Sequence, residues 1–335
     1  MKQAIEQVVA GKDLSREEAE RAMGILLSGE ATQAQIGSFL TALRMKGETV
    51  EELTGFAAVL RDKADTISPN VEKYIDFVGT GGDCTYSFNI STTSSFVVAA
   101  AGLPVAKHGN RSISSQSGSG DVLEALGVNI QAEPNKVQQC VEQVGIGFMF
   151  AQLFNKSMKY VGQVRKVLGI RTVFNILGPL ANPSRAKYML VGVYDPMLTE
   201  NIAKVMASLG VERALVVSGL DNMDEITLTD ATVVSEIKDG QVSTYEITPE
   251  QFGLSRASLE DFRGGDGAEN AEITKRILKG EEKGPKRDIV LLNAGAAFYI
   301  GGMVSDINEG IKLAAETIDS GKAYEKVEEL VKASN

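Results

Sequence analysis

Histidine and cysteine are nearly missing from this chain: its 335 residues hold one histidine, His108, and two cysteines, Cys84 and Cys140. A single histidine excludes a His-rich metal site and any histidine pair. Two cysteines in no metal-like spacing argue against a disulfide framework or a structural zinc site. A reducing cytosol, and so a cytoplasmic location, fits that usage. No run of about 18 uncharged apolar residues occurs, which speaks against a transmembrane helix and a membrane partner. The opening stretch MKQAIEQVVAGKDLSREEAE is charged and reads as helix, without the apolar core or small-residue cleavage site of a signal peptide. Positive charge is in deficit. Lysine and arginine number 34 against 44 aspartates and glutamates, a net charge of −10. So acidic a chain is a poor general binder of polyanions. Nucleic acid is therefore not expected as a partner, and an anionic ligand needs a local positive site.

What is present is an ordinary globular composition, 43% apolar, in a length that suits one large domain or a large domain with a smaller one. The first sixty-odd residues read as helices. Ser15 with Glu18, Thr32 with Gln35 and Thr49 with Glu52 have capping-box spacing, and Gly29 and Gly47 are plausible stops. The stretch 65–74 reads as a linker. Beyond it, short apolar runs (74–78, 103–107, 146–150, 189–193, 214–218) alternate with helical patterns at 91–101, 121–126 and 200–209. That alternation predicts an α/β fold with a central, mainly parallel sheet flanked by helices. A hairpin is expected over 232–247, and helices near 288–300 and 306–320 close the chain.

Four segments carry chemistry. In DFVGTGGDCTYSFNISTTSS (76–95), a strand leads through Gly79, Gly82 and Asp83 to a helix start at Asn89–Thr92. Small residues let backbone amides approach a ligand, and a helix start offers free N–H groups to an anion. VAKHGNRSISSQSGSGDVLEALG (105–127) repeats the build: strand, then Lys107, His108 and Arg111 with a run of serines, then helix. Two such loops would share the carboxyl edge of a parallel sheet and suit a phosphate or pyrophosphate. For His108 by itself, a structural hydrogen-bonding role outweighs catalysis. In SGLDNMDEITLT (218–229), Asp224 and Glu225 are adjacent carboxylates at a strand exit, hard oxygen donors that suit Mg²⁺. Arg165, near the apolar face of 158–168, presents a fork that fits a carboxylate. NILGPLANP (175–183) reads as a glycine–proline turn.

In that order, GTGGD, NIST, KHGNRSISS, VRKVLGIRTVFNILGPLANP, VGVYDP and the Asp-Glu pair resemble the anthranilate phosphoribosyltransferase family over nearly the whole chain. The resemblance implies that anthranilate's amine attacks C1′ of 5-phosphoribosyl 1-diphosphate and expels pyrophosphate, in tryptophan biosynthesis. It implies a small helical domain at 1–68, joined by part of 160–185, an α/β domain at 72–335, and a homodimer formed through the helical domains. Carried over by position, Gly79, Gly82, Asp83, Ser87, Asn89, Ile90, Ser91, Thr92, the loop Lys107, His108, Gly109, Asn110, Arg111, Ser112, Ile113, Ser114 and Ser115, and Ser119 line the phosphoribosyl diphosphate site. Gly79, Asn110 and Arg165 contact anthranilate. Ser91, Asp224 and Glu225 hold two magnesium ions, and Lys107 with that pair neutralises the leaving diphosphate. The chain departs from the family at Cys84 (usually glycine), Gln116 (lysine), Gln152 and Asn155 (proline and histidine) and Ser218 (histidine). Those changes bear mainly on the acceptor, so a same-fold transferase using another aromatic amine is an alternative. A pyrimidine-nucleoside phosphorylase, which uses inorganic phosphate and usually carries an extra C-terminal domain, is a second. A non-catalytic nucleic-acid-binding homologue would need a basic surface and lost metal ligands.

Overall fold

A computed structural model describes residues 1–112 and 116–335. Helices α1 (Lys2–Val9), α2 (Arg16–Ser28), α3 (Gln33–Lys46) and α4 (Val50–Lys63) come first. All three expected capping boxes form: Ser15, Thr32 and Thr49 accept from the amides of Glu18, Gln35 and Glu52, whose side chains reach back. Gly29 ends α2 in the left-handed region and Gly47 caps α3. A buried pair, Lys46 with Glu52 at 2.9 Å, ties α3 to α4, and Glu52 also accepts from the Leu14 amide at 2.9 Å.

The α/β part follows as β1 (Ile75–Gly79), α5 (Ile90–Ala100), β2 (Val105–Gly109), α6 (Ser119–Ala125), α7 (Pro134–Gln143), β3 (Ile146–Phe150), α8 (Ala151–Phe154), α9 (Lys159–Leu168), α10 (Phe174–Leu180), β4 (Tyr188–Gly192), α11 (Thr199–Ser208) and β5 (Arg213–Gly219). The hairpin β6 (Thr232–Lys238) and β7 (Gln241–Ile247) comes next. It is followed by α12 (Gly267–Leu278), α13 (Pro285–Gly301), α14 (Ile307–Asp319) and α15 (Lys322–Ser334). Among the described residues the sheet has order β3-β2-β1-β4-β5-β6-β7. The first five strands are parallel, and β6 and β7 run antiparallel to their neighbours.

Period-two alternation sends successive side chains to opposite faces of the sheet. Phe77, Leu190, Leu215 and Val217 face α5, α12, α13 and α15 in one apolar cluster. Val78, Met189, Val191, Ala214 and Val216 face the other way, into a cluster shared by α11, α9, α10 and the four N-terminal helices. Arg61 of α4 is buried in that second layer, where it donates to the carbonyls of Leu180 and Leu209. The expected turn at 175–183 is instead the helix α10, which runs through Pro179 to Leu180. The C-terminal helix α15 lies beyond the last expected one. No described helix is long and apolar enough to cross a membrane.

Candidate functional site

Backbone proximity builds the site first. The loop after β5 folds back so that Asp224 lies against the ends of β1 and β4. A Cβ on Gly192 would overlap the Asp224 carbonyl outright, and one on Gly79 would overlap its carboxylate. Both strands must therefore end in glycine. Asp224 Oδ2 accepts from the Gly81 amide at 2.7 Å. Its neighbour Glu225 accepts from the Ser91 amide at 3.1 Å, so a carboxylate from a distant loop caps the start of α5. The chain just beyond is pinned by Asn293 in α13, whose amide bonds both the N–H and the carbonyl of Ile226, at 3.0 and 2.9 Å.

Glu225 is buried and Asp224 partly so. Burial, then the charge of Asp83, pushes Asp224 up to about 7, and burial followed by Asp224 itself raises Glu225 well above the usual range. Crowded carboxylates of this kind match a hard divalent cation. Among the described residues no group of three or more His, Cys, Asp or Glu encloses an ion unaided. Asp224 and Glu225 could hold Mg²⁺, which takes one or two carboxylates and completes its shell with water and substrate phosphate.

Lys107 lies beneath this pair rather than in the open cleft. It is 2% exposed and donates to the Phe77 carbonyl and, at 3.3 Å, to Ser91 Oγ. Burial lowers its pKa, while Asp76, Glu225 and Asp224 act in the opposite direction. Asp76, fully buried and pushed by burial to about 6, accepts from the His108 amide at 3.1 Å.

The serine loop is closed by Asp121, which accepts from the amides of Ser112 and Gly118, both at 2.9 Å. Gly118 touches the 110–112 backbone so closely that no Cβ fits, and Ser119 packs on Gly109. Arg111, expected among the phosphate contacts, is committed elsewhere: its guanidinium forks onto Glu124 at 2.8 Å and reaches Asp121 at 3.1 Å. His108 is also turned inward, its Nε2 3.2 Å from the Asn155 amide. Desolvation lowers it to about 4, so it is neutral at physiological pH. The Ile90 side chain belongs to the apolar core, and Thr92 is buried beside it. Ser87 pairs with Arg263 in an isolated bridge. Ile113, Ser114 and Ser115 lie outside the described residues.

Asn110 and Arg165, expected to contact anthranilate, are less enclosed. Asn110 Oδ1 accepts from the Arg111 amide at 2.8 Å and from Gln152 Nε2 at 3.3 Å. Arg165 is half-buried, stacks 5.0 Å over Phe174, and pairs with no carboxylate among the described residues. Burial alone lowers its pKa.

Three residues that motif reading passed over take part. Arg171 donates to the Gly82 carbonyl and stacks 4.1 Å over Tyr194, so the segment after α9 grips the first glycine loop. Together with Asp83, Asp195 and Asn222 these two line a polar cavity of about 370 Å³. Asn293 and Asn270 are the others. The available signal was polarity out of place, since Asn293 sits in the otherwise apolar run IVLLNAGAAF. The departure at 84 has a backbone meaning too. Cys84 has φ +63°, a conformation that glycine adopts freely and that costs other residues roughly 1–2 kcal/mol.

Comparison with known proteins identifies the relatives of this chain. Residues 71–324 match the family described as "Glycosyl transferase family, a/b domain", and residues 2–64 match its "helical bundle domain". The anthranilate phosphoribosyltransferase of Acetivibrio thermocellus is 59% identical over 335 residues, covering 100% of this chain and 97% of that one. The crystal structure of the Thermus thermophilus enzyme aligns with TM-score 0.94 at 42% identity, over 99% of each chain. The Saccharomyces cerevisiae enzyme in complex with PRPP and Mg aligns with TM-score 0.92 at 28% identity, over 99% of this chain and 97% of that one. By identity over its full length, by fold and by the match of both its parts, the chain belongs to the anthranilate phosphoribosyltransferase family.

Proposed function

We propose that the protein transfers the 5-phosphoribosyl group of 5-phosphoribosyl 1-diphosphate to the amine of anthranilate, in tryptophan biosynthesis. The amine nitrogen forms a bond to C1′, the C1′–oxygen bond to the diphosphate breaks, and its electron pair leaves with pyrophosphate. The nitrogen then loses a proton to solvent. The observation that carries this reading is the convergence of Asp224 and Glu225 on the first glycine loop and the start of α5, through Gly81 and Ser91.

Gly79, Gly82, Asp83, Ser87, Asn89–Thr92, 107–112 and Ser119 surround the phosphoribosyl donor, mostly through backbone amides and small hydroxyls. Arg111 acts there as a brace on α6, and Lys107 balances the buried carboxylates from below. Ser91, Asp224 and Glu225 are the residues that would hold two magnesium ions. Bound magnesium supplies charge neutralisation to the departing diphosphate. An oxocarbenium-like transition state needs that neutralisation more than it needs a protein nucleophile. Arg165 takes the anthranilate carboxylate and Asn110, with Gly79, borders the ring, so positioning supplies much of the rate. The helical region 1–68 with part of 160–185 forms one body, 72–335 the other. The body at 1–68, which leaves Val9 and Met45 66% and 84% exposed, pairs with a second copy. Nothing observed favours a nucleoside phosphorylase or a nucleic-acid-binding homologue.

Release of pyrophosphate from 5-phosphoribosyl 1-diphosphate, assayed with and without anthranilate, tests the reading. Stoichiometric release that requires anthranilate is expected. No anthranilate-dependent release, together with phosphorolysis of a pyrimidine nucleoside to free base and sugar 1-phosphate, would contradict it.

A further inference from the structure

The stretch RGGDGAEN (263–270) is folded directly against the start of α5. The Phe88 amide donates to the Phe262 carbonyl at 2.9 Å, and the Gly264 amide to the Tyr86 carbonyl at 3.0 Å. A Cβ on Gly264 would lie 2.7 Å from Phe88 Cα and 2.5 Å from Asn270 Oδ1, so only glycine permits this approach. Asn270, in the first turn of α12, is 1% exposed.

Its contacts have a fixed polarity. A backbone N–H can only donate, and that of Gly265 donates to Asn270 Oδ1 at 2.8 Å. The amide is thereby oriented, and its Nδ2 donates to Asn89 Oδ1 at 2.9 Å. Asn89 Oδ1 takes a second bond from Ser117 Oγ at 3.1 Å. With its oxygen turned toward these donors, Asn89 presents its Nδ2 on the other side, where one hydrogen reaches the Ser117 carbonyl at 3.4 Å. The amide nitrogen carries two hydrogens. Among the described residues no hydrogen bond takes the second, and Asn89 itself is the N-cap of α5, two positions before Ser91.

We propose that Asn270 is a positioning residue for the reaction. A relay from the Gly265 amide through Asn270 sets the Asn89 side chain so that it offers an N–H, not an oxygen, to an acceptor oxygen of the phosphoribosyl donor. This rests on the reading of the 79–92 region as the donor site. A merely structural asparagine would hold α12 in place without caring which end of Asn89 faces the ligand.

Asn270→Asp keeps the shape and removes the donating end, so that Asn89 Oδ1 would face another oxygen and turn over. The expected result is a rise in the KM for 5-phosphoribosyl 1-diphosphate of roughly 10-fold or more, with the anthranilate KM within about 2-fold. In an Asn89→Ala background the same change should add nothing, because the relay has no end to act on. Asn270→Ser covers the case in which a buried carboxylate prevents folding: its donor KM should also rise only while Asn89 is present. An unchanged donor KM, or an equal rise in both backgrounds, overturns the relay. The unsubstituted protein is assayed first. If it makes product, these outcomes bear on the relay alone; if it makes none, the same comparisons are read as the calorimetric Kd for 5-phosphoribosyl 1-diphosphate, and absence of that binding fails the donor-site reading and the relay with it.

Discussion

The residues proposed to meet the phosphoribosyl donor and those proposed to meet the acceptor are built into the fold differently. On the donor side, among the described residues, the carboxylates and amides are already held by protein partners: Asp224 on Gly81, Glu225 on Ser91, Asp121 on Ser112 and Gly118, Asn270 on Asn89. On the acceptor side Arg165 has only an aromatic ring beneath it, and Asn110 is held by its neighbour's amide and one exposed glutamine. A highly charged, flexible diphosphate sugar needs many donors fixed in advance, because reorganising them during the reaction would raise the barrier. A flat aromatic acid with one carboxylate needs a cation and room to enter. Preorganisation is thus concentrated where charge develops.

Breaking the donor side should cost most. Asp224→Asn combined with Glu225→Gln is expected to lower magnesium-dependent kcat/KM on the order of 10³-fold or more. The same variant should still fold when magnesium is absent, since the side-chain amides can keep the hydrogen bonds from Gly81 and Ser91. Steady-state kinetics and thermal melts with EDTA check both halves. Next is Gly192→Ala, whose added methyl has no space beside Asp224. Displacing that loop by about 1 Å should cost around 100-fold in kcat, with a lower melting temperature from overpacking.

On the acceptor side, Arg165→Ala should raise the anthranilate KM roughly 10- to 100-fold through loss of a charge-assisted contact. The KM for the diphosphate sugar should stay within about 2-fold; equal rises in both would remove the distinction between the two sides. Smaller still is Cys84→Gly. Relieving a positive φ should stabilise the fold by about 1 kcal/mol, read as a higher melting temperature without loss of activity. Last, His108 should show no protonation above about pH 5 by NMR, since its folded pKa is about 4. Because that value lies below the unfolded one, its contribution to stability is complete above about pH 6.5 and is lost as pH falls toward 4. A histidine titrating near 6.5 would show that the ring is solvated.

Much of this was legible in the chain. Hydroxyl–acid spacings marked the N-terminal helices, apolar runs marked the parallel strands, and glycine loops marked the ligand edge. Other elements lacked a local signal. Helix α7 starts at Pro134 behind a Glu133 whose side chain makes no cap. Helix α12 does have a capping box, Asp266 with Glu269, but it is hidden in a glycine-rich run. Helix α10 tolerates Pro179 within a short segment packed against the N-terminal helices. The structural role of His108 was readable but its partner Asn155 was not, and the commitments of Arg111 and Lys107 were not readable, because each depends on a partner brought near by folding: Glu124 and Phe77. Sequence indicates which residues carry charge or donors; packing decides which of them still face a ligand.

The most direct test follows anthranilate fluorescence with purified protein, 5-phosphoribosyl 1-diphosphate and Mg²⁺, with and without EDTA. A magnesium-dependent loss of signal is predicted, and it would show that Gln152 and Asn155 still admit anthranilate. No loss, with the diphosphate sugar still binding in calorimetry, would contradict the assignment of the acceptor and leave only the donor half of the site standing.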